Sequence, residues 1–418
     1  MRLLQVAHQY PPEFIGGVEL HTQALARELV RRGHEVSVFF RSHRAAPGVE
    51  SWLEGDVRVW AASTGPLGAG RRFLATFSDE ALLASFKQVL TESRPDLVHI
   101  HHLMGLPASL AEWLVAQGIP YVITLHDYWW LCANAQLLTN DSDELCEGPK
   151  LWVNCGRCAI ARAGHKTLSP WLAPGMAPLF AYRHRRLESI LTHAARVISP
   201  THFTKQLHEQ MRLPPSGITV IPHGIALPEP LPAPAPREPG LYNIAYVGGI
   251  AHQKGLHVLL AALEQLPRES VTLSIYGNPT VFPEYVATLH ALSTHPGVRW
   301  RGSIPNAVLF ADLAAADVLV VPSIWYESAG LVIQEAFAVG VPVIVSQLGA
   351  LAERVEHEIN GLHVPPDEPT VLAAALQRLL DEPSLLPKLR AGIQPVRTIQ
   401  AQVADIEVLY QAALDSVK

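Results

Sequence analysis

No stretch of this 418-residue chain approaches the ~18 uninterrupted apolar residues that a membrane-spanning helix needs, so any membrane contact is expected to be peripheral. The opening Met1-Arg2-Leu3-Leu4-Gln5-Val6-Ala7-His8 is too short an apolar run for a secretory signal, and it leads directly to Pro11-Pro12. It reads as a first strand, and the expected compartment is the cytoplasm, with the inner face of a membrane as the place of any contact. Positive charge is not in surplus: the net charge of −6 argues against a generic nucleic-acid binder. Cysteine is scarce, and its four copies all fall between 132 and 158. The glycine fingerprints G-x-G-x-x-G and G-K-[ST] are both missing from the loops where they would matter, which removes the dinucleotide and P-loop motifs as shortcuts.

What the chain does have is apolar bulk. Hydrophobic residues at 49% and charged residues at 17% exclude a disordered or fibrous protein. A single core rarely grows past roughly 250 residues, so this length predicts at least two lobes. Short β-rich runs alternate with helical patterns. Leu3–Ala7, Val36–Phe40, Leu97–Ile100 and Tyr121–Leu125 come first; Asn243–Val247, Thr272–Tyr276, Val298–Arg301, Val318–Val321, Pro342–Val345 and Leu362–Val364 follow after a break. That rhythm predicts βαβ units and parallel sheets. Between the two series lies Pro228 to Pro239, with six prolines in twelve residues, a semi-rigid polyproline stretch that cannot sit inside a sheet. The expected organisation is a first domain over 1–227, a linker over 228–240, a second domain over 241–395 and a C-terminal helix over 396–418 that packs on either lobe. Val403, Ile406, Val408, Leu409 and Ala412 are its expected apolar face.

Three segments carry chemistry. Gly16-Gly17-Val18-Glu19 follows the first strand and opens a helix bearing Leu20, Ala24, Leu25 and Leu29. Paired glycines admit close approach of a phosphate or sugar, and the helix N-terminus favours an anion. Gly248-Gly249-Ile250-Ala251-His252-Gln253-Lys254-Gly255 repeats the strand, glycine loop, helix plan at the head of the second lobe, with Lys254 as a point charge for a diphosphate. Pro322 to Ala336 contains Glu327 just before a helix, whose free N–H groups are expected from Ser328 to Val332, and Glu335 about two turns in. Carboxylates accept hydrogen bonds from vicinal hydroxyls, so the pair suits a sugar and a ribose.

With these residues goes a wider set of matches: Arg32-Gly33-His34-Glu35-Val36, Thr124-Leu125-His126-Asp127, Ile221-Pro222-His223-Gly224-Ile225 and Asn360-Gly361-Leu362. Taken in order and spacing, the chain resembles the family 4 retaining glycosyltransferases along almost its whole length. The resemblance implies an α/β protein of GT-B fold, two Rossmann-like domains facing each other across a cleft. It implies a nucleotide-sugar donor with a UDP, GDP or ADP carrier, and a hydroxyl acceptor that is polysaccharide or lipid-linked. It implies that Glu327 contacts the donor sugar and Glu335 the ribose, that His126 lies near the reacting sugar, and that Lys254 faces the diphosphate. Gly16, Gly17, Gly249, Ile304, Ser328, Ala329, Gly330, Leu331 and Val332 complete the expected donor site. The family pattern has an arginine where Gly249 stands, so one of two cations on the leaving group is missing or supplied from elsewhere. No paired-aspartate motif stands at a donor site, so no catalytic metal is expected.

Cys132, Cys146, Cys155 and Cys158 are spaced C-x13-C-x8-C-x2-C. The two-residue bite of the last pair is half of a structural zinc site; an iron–sulfur centre and unliganded or redox-active thiols remain as alternatives. Over 171–190, Trp171, Leu172, Met176, Leu179, Phe180 and Tyr182 adjoin Arg183-His184-Arg185-Arg186, a run that reads either as a surface for a membrane or lipid-linked acceptor or as an ordinary helix face.

Overall fold

The computed structural model describes residues 1–66, 68–211, 217–233 and 241–416. Eight strands form the first sheet: β1 (Arg2–Ala7), β2 (Glu35–Arg41), β3 (Gly48–Glu54), β4 (Val57–Ser63), β5 (Leu97–Ile100), β6 (Tyr121–Thr124), β7 (Arg196–Ser199) and β8 (Ile218–Val220). Their order is β3-β4-β2-β1-β5-β6-β7-β8, parallel except for the β3–β4 hairpin at one edge. Central strands such as β1, β5 and β6 are buried on both faces, which is why they read as near-continuous apolar runs. The hairpin and the short β7 and β8 escape the sequence pattern. β3 is largely exposed and polar, and in β7 and β8 Arg196, Ser199 and Thr219 leave no continuous apolar run of the kind that marks the other short strands.

The second sheet is β9 (Tyr242–Val247), β10 (Val271–Tyr276), β11 (Val298–Gly302), β12 (Val318–Val321), β13 (Val343–Ser346) and β14 (Gly361–Val364), all parallel, in the order β11-β10-β9-β12-β13-β14. The strand order reverses at β1 in the first sheet and at β9 in the second. In open α/β sheets the crevice beyond the strand C-termini at such a reversal is where ligands bind. The loops that open there are those after β1 and β5, and those after β9 and β12.

The chain divides into two compact units, Met1–Gly224 with the helix Ile399–Asp415, and Ile225–Thr398. The expected linker over 228–240 lies partly outside the described residues; 228–233 has no regular secondary structure. The last helix belongs to the first unit. Ile399, Val403, Ile406, Leu409, Tyr410 and Ala413 join one apolar cluster with Leu25, Leu29, Val36 and Val38. The expected face needs correction: Val408 is 72% exposed and Ala412 is exposed, because the buried positions follow 399, 402/403, 406, 409/410 and 413 at the 3.6-residue period. Among the described residues no helix is long and apolar enough to cross a membrane.

Candidate functional site

In the second domain, the loops after β9 and β12 are sewn together where the sheet order reverses. The Ile324 N–H donates to the Gln253 carbonyl at 3.0 Å. Gly255 follows a single 3-10 turn, His252–Lys254, at φ 68°, and a Cβ there would lie 1.9 Å from the Pro322 carbonyl oxygen. Only glycine permits that approach, and it is what brings Lys254 to the second loop. Lys254 Nζ donates to Glu327 Oε1 at 2.7 Å, and the same oxygen accepts from Ser323 Oγ at 2.7 Å and Trp325 Nε1 at 2.8 Å. The ammonium also sits 5.0 Å from the centre of the Trp325 ring, within cation–π range. Burial alone would push the Glu327 carboxyl up, but the Lys254 charge and these three hydrogen bonds outweigh it, so the group is held ionised below the usual carboxylate range.

The helix after Glu327 starts later than its sequence suggests. Gly330 sits at φ 61° as the N-cap of Leu331–Ala338, so Ser328 and Ala329 precede the helix, and Glu335 lies little more than one turn in. The left-handed residue redirects the chain and delays the first helical turn. Leu331, Val332 and Ile304 are half-buried against the apolar cluster beneath, and Ala329 is buried. Glu335 is half-buried and has no hydrogen-bond or ion-pair partner among the described residues; burial pushes its carboxyl up to about 7. A partly desolvated carboxyl with no protein partner is available to an outside donor of hydrogen bonds. At Gly249 an added Cβ would meet nothing within 4 Å, so open space stands where the family carries its arginine.

In the first domain, His126 follows β6 and lies inside a histidine network that sequence reasoning passed over. His101 Nε2 is 2.7 Å from Gln5 Oε1, His101 Nδ1 is 2.9 Å from His126 Nε2, and His126 Nδ1 is 3.2 Å from His223 Nε2. His223 Nδ1 is 3.2 Å from Gln402 Nε2, while Gln402 Oε1 accepts from the Gly224 N–H at 2.8 Å and meets His21 Nε2 at 2.9 Å. The Gly224 N–H fixes which end of Gln402 is oxygen, and the tautomers then follow in turn: His223 accepts from Gln402 and donates to His126, His126 donates to His101, and His101 donates to Gln5. Both ring nitrogens of His126 are thereby engaged. Burial, with the neighbouring histidines adding to it, lowers His101 and His126 well below the ordinary histidine range, and burial lowers His21 to about 4. The rings are neutral. His21, His101 and His126 present nitrogens within 4.8 Å of one another, a spacing an ion could bridge. Two signals were available in the sequence: His101 directly follows β5, and His223 stands in the quoted Ile221-Pro222-His223-Gly224 run.

Gly16 caps the helix Gly17–Arg31 in extended conformation, and a Cβ there would lie 2.5 Å from Glu19 Oε2. Glu19 is buried and folds back on its own first turn, with His8 Nε2 at 3.5 Å. Burial raises its carboxyl, and its own backbone N–H partly offsets that. The Glu19 carboxyl therefore lies beside Gly16, at the loop where a phosphate was expected. The four cysteines gather in the segment between β6 and β7, all half-buried and none disulfide-bonded. In the helix Ser169–His193, Trp171 and Tyr182 are exposed but Phe180 and Arg183 are buried, and Arg186 pairs with Glu112, so much of the basic-aromatic run is used inside the domain.

Two α/β domains of this build define the GT-B fold of glycosyltransferases, and the comparisons agree. The structure matches sucrose-phosphate synthase from Thermosynechococcus elongatus with a TM-score of 0.74 at 21% identity, covering 99% of each chain. It matches Anabaena HepE in complex with UDP-glucose with a TM-score of 0.66 at 18% identity, over 99% of this chain and 98% of the other. The model for "Glycosyltransferase Family 4" covers residues 15–228, and that for "Glycosyl transferases group 1" covers 242–382. A glycogen synthase of Mycobacterium tuberculosis is 30% identical over 92% of this chain and 87% of its own. A D-inositol 3-phosphate glycosyltransferase of Thermomonospora curvata is 28% identical over 96% and 92%. The chain belongs to glycosyltransferase family 4.

Proposed function

We propose that the protein transfers a sugar, with retention of anomeric configuration, from a nucleotide-sugar donor to a hydroxyl acceptor in polysaccharide, glycolipid or other glycoconjugate synthesis. The observation that carries this reading is the second-domain pair: Lys254 held against an ionised Glu327, with the unpartnered Glu335 on the following helix. In this reading Glu335 accepts from the ribose hydroxyls and Glu327 from the donor sugar. Lys254 then stabilises the charge that develops on the departing diphosphate. The acceptor hydroxyl attacks from the face the diphosphate leaves, through an oxocarbenium-like transition state, and the departing phosphate takes its proton. His126 is in this reading a neutral ring near the sugar that shapes the site and exchanges no proton, since both its nitrogens are already committed inside the first domain. The carrier is UDP, GDP or ADP; HepE, of the same fold, is seen with UDP-glucose. A lipid-linked acceptor at the inner face of a membrane is favoured by Leu168, Trp171 and Leu172, exposed by 51%, 84% and 54%, close in sequence to Arg162 and Lys166.

The test has two parts. Thermal shift with UDP-, GDP- and ADP-sugars should single out one carrier, because a ligand at ~100 times its dissociation constant stabilises by about 2.7 kcal/mol. With that donor, proton NMR of the product should show retained configuration. Glu335→Gln should weaken nucleotide affinity, and Glu327→Gln should mainly lower turnover. Inverted product makes the protein an inverting GT-B transferase, donor isomerisation without transfer makes it an epimerase, and binding without turnover makes it a donor-binding protein. Each of those outcomes replaces the reading.

A further inference from the structure

The segment between β6 and β7 is the least regular part of the first domain. From Cys132 to Trp152 its regular pairing is one isolated bridge, Leu138 with Leu145, before the helix Val153–Arg162 begins. Ala135, Leu137, Asp143, Leu151 and Trp152 all have φ between 50° and 63°, a left-handed conformation that side-chain-bearing residues rarely adopt. Such strain persists only where the surroundings enforce it. What this segment contains, in place of a hydrogen-bonded ladder, is four half-buried thiols. Cys146 and Cys155 share one neighbour, Asn154, whose Nδ2 donates to Cys146 Sγ at 3.9 Å and whose Oδ1 accepts from Cys155 Sγ at 3.8 Å. Cys155 and Cys158 lie three apart on one helix, hence on one face.

Two further features suit sulfur bound to an ion. Cys158 Sγ accepts from the Asn140 backbone N–H at 3.3 Å and from Asn140 Nδ2 at 3.0 Å, an N–H···S arrangement of the kind that supports a metal-bound sulfur. Arg183, only 3% exposed, places its guanidinium near Cys132 and Cys155, and its buried Nε has no hydrogen-bond partner. Its other anchors are a bond to the Trp129 carbonyl at 2.6 Å, the Trp129 ring at 4.8 Å and the charge of Asp127. A buried cation with an idle N–H beside neutral thiols is costly; beside thiolates it is compensated.

We infer that Cys132, Cys146, Cys155 and Cys158 bind one structural zinc ion as thiolates, with Arg183 offsetting the negative charge of the tetrathiolate site. Among the described residues only the histidine trio already meets a 4.8 Å ligand spacing, so the thiols close on the ion, at about 2.3 Å per bond, by side-chain rotation. The ion supplies the cross-links that this irregular segment lacks and has no part in the transfer reaction.

Elemental analysis of the full chain, purified without added metal and without a nickel column, should show one zinc per chain. Cys155→Ser and Cys158→Ser should each lose it, and His21→Ala should keep it. Should the cysteine variants fail to fold, replacing zinc by cobalt in the wild-type protein gives an independent reading, since thiolate-to-cobalt charge-transfer bands report sulfur ligation directly. Four outcomes overturn the inference: iron with acid-labile sulfide; zinc retained by the cysteine variants and lost with His21; cobalt bound without thiolate bands; or a folded, metal-free protein with four freely titrating thiols.

Discussion

Glu335 stands in an environment unusual for its type. Its carboxyl titrates near 7 in the folded chain against 4.5 ordinarily, because burial disfavours the charge and no partner restores it. The folded state therefore binds the proton more tightly than the unfolded one. The contribution to stability is fully present below about pH 4.5 and is lost as pH rises through about 7. Glu335→Gln removes the charge and keeps the shape, so its melting temperature relative to wild type should climb between pH 5 and pH 8. A difference that stays flat over that range would mean the carboxyl is better solvated than the geometry implies. Glu327 runs the other way: more deeply buried, it stays ionised because Lys254, Ser323 and Trp325 all donate to one oxygen. Two glutamates on one short segment are thus set to opposite protonation behaviour by their partners alone. The sequence located both and offered nothing on that difference, because Ser323 and Trp325 become donors only through the turn that precedes the helix.

At the scale of elements, the loop after β9 joins catalysis to stability. Lys254→Ala should lower turnover by about 10²-fold, the cost of losing one preorganised donor at a developing anion, and should also lower the melting temperature, because the buried Glu327 carboxylate then loses its cation. Gly255→Ala should reduce both, since its Cβ meets the Pro322 carbonyl at 1.9 Å and its φ of 68° disfavours any side chain. Gly249→Arg starts in open space and should fold normally, with tighter donor binding if the family's second cation is simply missing here. The three variants are compared by melting and by steady-state kinetics with the donor that the thermal-shift screen selects. Near wild-type turnover in Lys254→Ala would show that other groups hold the diphosphate. The helix after Gly330 teaches a related point: the pattern from Ser328 onward reads as helical, but one left-handed glycine moves the start to Leu331 and with it the N–H groups that could face a phosphate.

For the molecule as a whole, the C-terminal helix is structural to the first domain although it follows the second in sequence. It buries Ile399, Val403, Ile406, Leu409, Tyr410 and Ala413, and the Tyr410 hydroxyl meets His99 Nδ1 at 2.6 Å. Each large apolar side chain so buried is worth about 1.5–3 kcal/mol, and a typical domain has only about 5–15 kcal/mol in hand. A chain ending at Thr398 should therefore lose the cooperative melting of the first domain and expose it to limited proteolysis, while fragments of the second survive. Retention of two folded domains after this truncation would show that the helix is only docked.

By itself the sequence determined the two parallel-sheet domains and the glycine loops at the head of each, and it named Lys254, Glu327 and Glu335 as candidates. Those features are local: apolar runs, turn residues and short spacings survive in a linear reading because neighbouring residues act together. Only the tertiary structure decided the rest. It gathered His21, His101 and His223 around His126 from separate elements, returned residues 399–415 to the first domain, and brought Gln402 to orient the histidine network. Those contacts join residues as much as 381 positions apart, and nothing in local propensity or periodicity encodes which strand ends will meet. Burial decides it, by making every polar group in that core find a partner wherever along the chain it lies.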